Sequence, residues 1–249
     1  MVASLAHLEV GRGTEGEGGD PVKRERVAVV ADAHLGGPGG AAAPLVEQLR
    51  LLPAAGCSRL LLLGDLFQLW IGDRRYETAD IALVAETLAD LRRSGLRVDY
   101  VEGNRDFFLA GSPYRDAFDS VGSEVAFTAG GRRFLAVHGD GLDRRDRKYR
   151  FWRAVSKSRP SRLAASLVPG RFARRLVFGT ERKLSGTNLE HKRRIPEAAL
   201  RDYGRRRLAE GHDVLLLGHF HEARTLAVPG GEVRLVDAWF ERREIEWLS

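Results

Sequence analysis

Val27-Ala28-Val29-Val30-Ala31-Asp32-Ala33-His34 is the stretch that decides the fold. Its first five residues are apolar at every position, and three are β-branched. A run this short, without alternation, predicts a strand covered on both faces. It stops at Asp32 and His34, so two metal-capable side chains stand at the strand's C-terminal end. The same grammar recurs along the chain. Leu60–Leu63 runs into Gly64-Asp65, and Val98–Val101 leads to Gly103-Asn104-Arg105-Asp106. Phe134–Val137 ends at His138-Gly139-Asp140, and Val214–Leu217 at Gly218-His219-Phe220-His221. Between these runs, Pro44–Leu52 and Ala79–Arg93 predict helices. The second carries Ile81, Val84, Leu88 and Leu91 on one face, with Gly95 as its C-terminal cap. Thr225–Val228, the turn Pro229-Gly230-Gly231 and Val233–Val236 predict a hairpin. Strands alternating with helices make an α/β domain, with antiparallel pairing added near the end.

The composition fits one such domain. The chain has 249 residues, 43% hydrophobic and 30% charged, a globular balance that excludes wholesale disorder. Cys57 is the lone cysteine, which excludes an intrachain disulfide and a cysteine-rich zinc cluster. No run approaches the ~18 apolar residues of a membrane span. No signal-peptide pattern is visible, and a soluble or peripherally bound cytoplasmic protein is expected. Residues 1–26, rich in glycine and charge, are expected to be a flexible tail ahead of a single domain over 27–249.

Charge is unevenly placed. Arg144–Arg207 carries 21 Lys/Arg against 5 Asp/Glu, leaving −10 on the rest of a chain whose net charge is +6. A basic segment in an otherwise acidic protein points to an anionic partner: a phosphate-rich substrate, an anionic lipid surface or nucleic acid. A solvated helical face is the plainer explanation. Within the segment, Ser161–Phe178 mixes Leu163, Leu167, Phe172, Leu176 and Phe178 with four arginines and is broken at Pro169-Gly170. It reads as two short amphipathic pieces, suited either to a membrane surface or to packing on the main domain.

The five clusters carry the chemistry. In an α/β sheet, strand C-terminal ends converge on one crevice. There they supply Asp32, His34, Asp65, Asn104, His138, His219 and His221, an oxygen and nitrogen set without thiolate. Such a set suits Mn²⁺, Fe²⁺ or Zn²⁺ and not a structural zinc site. A single Asp-x-His or His-x-His pair is commonplace. Five clusters in order, each closing an apolar run, are not. His7, His191 and His212 fall outside them and read as surface residues.

The order Asp-x-His, Gly-Asp, Gly-Asn-x-Asp, His-Gly-Asp, Gly-His-x-His resembles the calcineurin-like metallophosphoesterase superfamily, from about Val27 to Trp239. That resemblance implies a four-layer αββα sandwich with a two-metal site. One metal would take Asp32, His34 and His221, the other Asn104, His138 and His219, with Asp65 bridging. A finer resemblance lies in Gly64-Asp65-Leu66-Phe67-Gln68-Leu69-Trp70-Ile71-Gly72-Asp73, in Gly103-Asn104-Arg105-Asp106-Phe107-Phe108, in His138 to Leu142 followed by Asp146 and Tyr149, and in Ala238-Trp239. These are similar to the UDP-2,3-diacylglucosamine pyrophosphatase branch of lipid A synthesis. The branch implies Mn²⁺, metal-activated water attacking the α-phosphorus, and release of UMP and 2,3-diacylglucosamine 1-phosphate. It also implies a peripheral place on the inner face of the bacterial inner membrane, with no obligate protein partner.

In that reading the 79 residues between His138 and Gly218 hold a helical cap, an insertion at about 144–207. Substrate contacts would come from Asn104, Arg105, Asp146, Tyr149, Asn188, Lys192 and His219. The branch's Ser-x-x-x-Asn-x-x-Lys arrangement is not matched in spacing by Ser185 to Lys192, which leaves the lipid substrate less secure than the chemistry. Arg105 has its own logic. Many superfamily members place His after the Asn, able to protonate a poor alkoxide leaving group. Arg does not give up its proton and suits a leaving group that is already an anion, such as a sugar phosphate. Pairing with Asp106 is the bland alternative for Arg105. Asp106 itself would orient a site histidine through its second ring nitrogen. Two competing functions remain at this stage: a phosphodiesterase or nuclease with a basic cap for nucleic acid, and a scaffold that keeps the fold. The scaffold fits poorly, because all seven ligand positions are filled.

Overall fold

The computed structural model describes residues 25–36, 41–142, 147–173, 175, 179 and 197–248. The expected tail, apart from Glu25 and Arg26, lies outside the described residues, as do Asp146, Leu176, Phe178, Asn188, His191 and Lys192.

Two five-stranded sheets dominate. In the first, β1 (Val27–Val30), β2 (Arg59–Leu62), β4 (Arg97–Val101) and β6 (Ser120–Gly122) run parallel in that order. β12 (Glu246–Leu248) closes the edge antiparallel to β1. The second sheet runs β10 (Arg224–Val228), β11 (Gly231–Leu235), β9 (Val214–Leu217), β8 (Arg132–Val137), β7 (Glu124–Ala129). Its centre β11-β9-β8 is parallel, and both its edges are antiparallel hairpins. A short parallel pair, β3 (Trp70–Ile71) with β5 (Asp106–Phe107), stands beside the first sheet's loops.

The apolar runs explain the layering, because alternate side chains of one strand go to opposite faces. Val27, Val29, Leu61 and Leu63 face the other sheet and meet Phe127, Phe134, Val214 and Leu216. Ala28, Val30, Leu60 and Leu62 face outward under helices α1 (Ala43–Leu51) and α2 (Ala79–Arg93), against Leu45, Leu49, Ile81, Val84 and Leu88. On the far side, Leu135, Val137, Leu215 and Leu217 lie under Leu200 and Leu208 of α5 (Glu197–Leu208). The result is the expected helix–sheet–sheet–helix stack. Each fully buried Val or Leu contributes ~1.5–3 kcal/mol, so strands buried on both faces supply most of the cohesion. Leu61→Ala, between the sheets, would cost ~2–5 kcal/mol.

α2 starts and stops as its sequence directs. Thr78 accepts from the Ile81 N–H at 3.3 Å, Asp80 lies in the first turn, and Gly95 (φ 95°) follows the cap Ser94. Two further helices, α3 (Arg147–Ser156) and α4 (Arg159–Leu167), lie in the chain between β8 and α5, within the second sheet's portion. The break at Pro169-Gly170 is present: α4 ends at Leu167, Val168 is extended, and helical residues resume at Gly170. α3 lies within the insertion expected as a helical cap, although its bounds were not predicted. Its Arg147, Lys148, Arg150 and Arg153 obscure the amphipathic spacing. A single short turn of helix, α6 (Trp239–Arg242), follows the second sheet. Among the described residues, no helix is long and apolar enough to cross a membrane.

Candidate metal centre

The parallel strands deliver the chemistry to one end of the stack. Asp32 and His34 follow β1, Asp65 follows β2, Asn104 follows β4, His138 follows β8, and His219 and His221 follow β9. Among the described residues, seven non-glycine residues have positive φ, and five of them are Asp32 (48°), His34 (46°), Asp65 (52°), His219 (69°) and His221 (55°). L-residues avoid this left-handed region at a cost of about 1 kcal/mol or more each. The chain therefore turns sharply at each ligand, aiming a side chain into the crevice instead of along the strand. The glycines between strand and ligand have a related reason. A Cβ on Gly64 (φ 85°) would stand 2.6 Å from His138 Nδ1 and 2.8 Å from the Gly103 nitrogen. A Cβ on Gly103 would strike the Asp65 carboxylate.

Two Asp/His groups form there. The ligand atoms of Asp32, His34 and His221 lie within 4.8 Å of one another, and so do those of Asp32, Asp65 and His138. In the first, His34 Nε2 is 3.3 Å from His221 Nε2 and 3.6 Å from Asp32 Oδ1, which is itself 3.3 Å from His221 Nε2. In the second, His138 Nε2 is 3.6 Å from Asp65 Oδ1 and 3.3 Å from Asn104 Oδ1. His219 packs its ring edge-on to His138, with centroids 5.1 Å apart, and its backbone N–H donates to Asp32 Oδ2 at 2.6 Å. All seven expected positions are thus brought together. Asp32 belongs to both groups, whereas Asp65, expected to bridge them, belongs to the second alone.

These residues fit divalent cations. His138 Nδ1 lies 2.8 Å from the Leu63 carbonyl. A carbonyl only accepts, so Nδ1 carries the proton and Nε2 of the neutral ring offers a lone pair. That lone pair faces two further acceptors, Asp65 Oδ1 and Asn104 Oδ1, an arrangement that a cation makes favourable. Asp65 Oδ2 is buried and accepts no hydrogen bond among the described residues. Burial opposes ionisation of Asp32, yet His138, the His221 hydrogen bond and His34 hold its carboxyl well below the usual range. Burial also disfavours a charged His138, but Asp65, Asp32 and Asp140 raise its proton affinity. Proton and cation therefore compete for the same atom.

The neighbours of the ligands differ from expectation in one respect. Asp106 does not orient a histidine; the Leu63 carbonyl does. Asp106 is fully buried, and its Oδ2 accepts from the backbone N–H of Asp65 at 2.9 Å and of Gly103 at 2.8 Å. It pins the two loops that carry Asp65 and Asn104. Burial and the Asp65 charge push its pKa up to about 7. Arg105 is 4% exposed, and its guanidinium lies on Gln68 Oε1 and 3.5 Å from Asp65 Oδ2, not on Asp106. Its backbone N–H donates to Asp65 Oδ1 at 2.9 Å. Gln68 in turn donates to the His34 carbonyl at 3.2 Å. Gln68 was not among the expected site residues, although it lies within the Gly64–Asp73 stretch.

α3 lies over the centre and is held by polar contacts. The Tyr149 hydroxyl and Arg153 Nε both donate to Asp140 Oδ2, the latter at 2.8 Å. Lys157 Nζ donates to the Gly103 carbonyl at 2.7 Å. Tyr149, expected to touch substrate, here anchors the cap to the His138-Gly139-Asp140 loop. α4 is tied by the Tyr76 hydroxyl to the Ala165 carbonyl at 2.8 Å, by Arg75 to the Ser166 carbonyl and by Arg162 to the Gly111 carbonyl. Neither helix buries a side chain among its own residues. Phe151 (72% exposed), Leu163 (63%) and Leu167 (74%) face outward, with Trp152, Val155 and Phe172 also exposed. Leu163, Leu167 and Phe172 therefore do not pack into the main domain.

No family model matches the chain. It is 30% identical over 228 residues to a UDP-2,3-diacylglucosamine hydrolase of Ralstonia nicotianae, covering 86% of this chain and 83% of that protein. It is 29% identical over 236 residues to a protein of the same description from Xanthomonas campestris pv. campestris, covering 87% and 92%. Among solved structures it is similar to a phosphopantetheinyl hydrolase of Mycobacterium tuberculosis, at 16% identity and a TM-score of 0.46, covering 91% of this chain and 96% of that one.

Proposed function

The chain belongs to the UDP-2,3-diacylglucosamine hydrolase family and is a metal-dependent phosphoesterase, and on that premise we propose that it hydrolyses the pyrophosphate of UDP-2,3-diacylglucosamine to UMP and 2,3-diacylglucosamine 1-phosphate. The observation that carries this reading is the pair of Asp/His groups at the strand ends of a chain related to that family over 86% of its length. Asp32, His34 and His221 would hold one divalent cation and Asn104, His138 and His219 the other, with Asp65 between them. Mn²⁺ is the proposed metal. When bound, such a pair supplies Lewis acidity and lowers the pKa of water toward ~7.

The chain's own residues do the rest. The strained turns at Asp32, His34 and Asp65 fix the ligands before substrate arrives, so little reorganisation remains at the reacting phosphorus. Water adds to the α-phosphorus, and the bond from that phosphorus to the bridging oxygen breaks. The departing sugar phosphate leaves as an anion, with a second pKa of ~6, and needs charge stabilisation rather than a proton. Arg105 supplies a permanent positive charge beside Asp65, and Lys157 a second one at the Gly103 carbonyl. The α3–α4 cap would receive the acyl chains and rest on the inner-membrane surface. Its outward Phe151, Leu163 and Leu167, next to Arg150, Arg159 and Arg162, have the character of an interfacial element.

The deciding experiment is UMP release from UDP-2,3-diacylglucosamine in detergent with Mn²⁺, beside a generic aryl phosphodiester and single-stranded DNA. UMP and lipid phosphate that appear together and vanish with chelator bear the reading out. Turnover of the aryl diester or DNA without UMP keeps the metal chemistry and overturns the substrate.

A further inference from the structure

Phe240 stands against both imidazoles of the first Asp/His group. Its ring centroid is 5.4 Å from that of His34 and 5.1 Å from that of His221, and the two imidazoles are 5.2 Å apart. The three rings form a nearly equilateral triangle, tilted or edge-on at every side, with interplanar angles of 58°, 80° and 63°. Phe240 is itself well fixed. The Trp239 N–H donates to the Ala31 carbonyl at 2.8 Å, and the Phe240 N–H to the Asp32 carbonyl at 3.4 Å. Trp239 is 1% exposed, and its Nε1 donates to Gln48 Oε1 at 2.9 Å. The turn of helix carrying Phe240 is therefore nailed to the same strand end that carries Asp32 and His34.

The second group sets its key ring differently, through the bond from His138 Nδ1 to the Leu63 carbonyl. A histidine's ring torsion is broad and roughly two-fold, so its orientation is decided by what the ring touches. We infer that Phe240 is a positioning residue for the metal held by Asp32, His34 and His221. By packing on both imidazoles it holds their Nε2 atoms toward Asp32 Oδ1. It also covers that flank with a surface that offers neither donor nor competing ligand, and an apolar wall of this kind governs water access to a metal. The inference rests on the dinuclear reading above. It adds that Phe240 acts on the imidazoles of one metal, while the Leu63 carbonyl orients an imidazole of the other.

The test is a Mn²⁺ titration of the full chain after chelator treatment. Free Mn²⁺ is followed by its EPR signal and heat by calorimetry, with no substrate present. Wild type is expected to bind two Mn²⁺ with the spectrum of a coupled pair. Phe240→Ala should weaken one of the two binding steps by ~10–100-fold, leave the other unchanged, and lose the coupled spectrum at two equivalents. Phe240→Tyr should restore both steps. Phe240→Leu, which fills space without a flat ring, should fall between and serves if the alanine variant folds poorly. A merely structural residue would shift the unfolding midpoint in chelator without splitting the two affinities. Unchanged binding in Phe240→Ala, or equal weakening of both steps, overturns the inference while the dinuclear reading stands. Failure of wild type to bind two Mn²⁺ overturns that reading and the inference with it.

Discussion

Removing the Asp106 side chain should loosen the centre without touching a ligand. Asp106 Oδ2 alone accepts the N–H groups of Asp65 and Gly103. In Asp106→Ala both donors are left buried without a partner, each costing ~1–3 kcal/mol, or ~2–6 kcal/mol together. Against the ~5–15 kcal/mol that holds a domain together, this is a large fraction. Asp106→Asn places a carbonyl oxygen where Oδ2 stands and keeps both bonds. The second oxygen, Oδ1, makes no hydrogen bond of ordinary length among the described residues, and the buried Tyr100 hydroxyl, which interacts with the Asp106 carboxyl, can accept from an amide in its place. Asp106→Asn should therefore unfold within about 1 kcal/mol of wild type. The assay is urea unfolding in chelator, followed by tryptophan fluorescence, with Mn²⁺ affinity measured in parallel. The alanine variant should lose both stability and metal, the asparagine variant neither. If the two variants unfold alike, or if Asp106→Ala matches wild type, the bracing role of the two bonds is refuted.

Other outcomes follow from the same geometry. Asp65→Ala should abolish turnover and release metal, seen by elemental analysis after gel filtration; full activity would refute the dinuclear reading. Gly103→Ala, whose Cβ would strike the Asp65 carboxylate, should fold but cost ~1–3 kcal/mol and lose metal affinity, checked by unfolding and Mn²⁺ titration. Lys157→Met should raise hydrogen exchange in α3 and in residues 103–107, because it removes the 2.7 Å tie to the Gly103 carbonyl. Asp119 tests the acid limb: burial works against its ionisation, but the Val98 N–H and Arg92 hold its carboxyl below the ordinary value of 3.8. Its contribution is thus present above about pH 4 and lost as pH falls through the lowered pKa. Asp119→Asn should flatten that part of the stability-against-pH curve.

The strand ends were legible because two signals coincide there. A strand buried on both faces is written as an unbroken apolar run, and a ligand directly after it is written as a polar letter beside glycine. β7 was passed over although Val125, Phe127 and Ala129 alternate with exposed residues, because its single covered face gives a weaker pattern. α5 was hidden by its arginines and by Gly204. The structure explains that glycine, since a Cβ there would collide with Val233 of β11. The Asp and His residues that gather at the strand ends could be named from sequence. Part of what orients them could not, because the Leu63 carbonyl and the N–H groups of Asp65 and Gly103 belong to the backbone and have no letter. The cap was legible as basic and amphipathic. Its attachment was not, because it depends on carbonyl groups at Gly103, Gly111, Ala165 and Ser166.

The left-handed turns at Asp32, His34, Asp65, His219 and His221 bear on the protein's lifetime in a cell. At about 1 kcal/mol each they withhold on the order of 5 kcal/mol from the folded chain. Cations that bind only the folded form return that free energy by mass action. The metal-free chain should therefore populate its unfolded state more often and reach proteases more readily, since a change of ~1–2 kcal/mol already alters abundance several-fold. Metal starvation would then deplete the protein itself, and the fall in its steady-state level would precede any slowing measured per molecule.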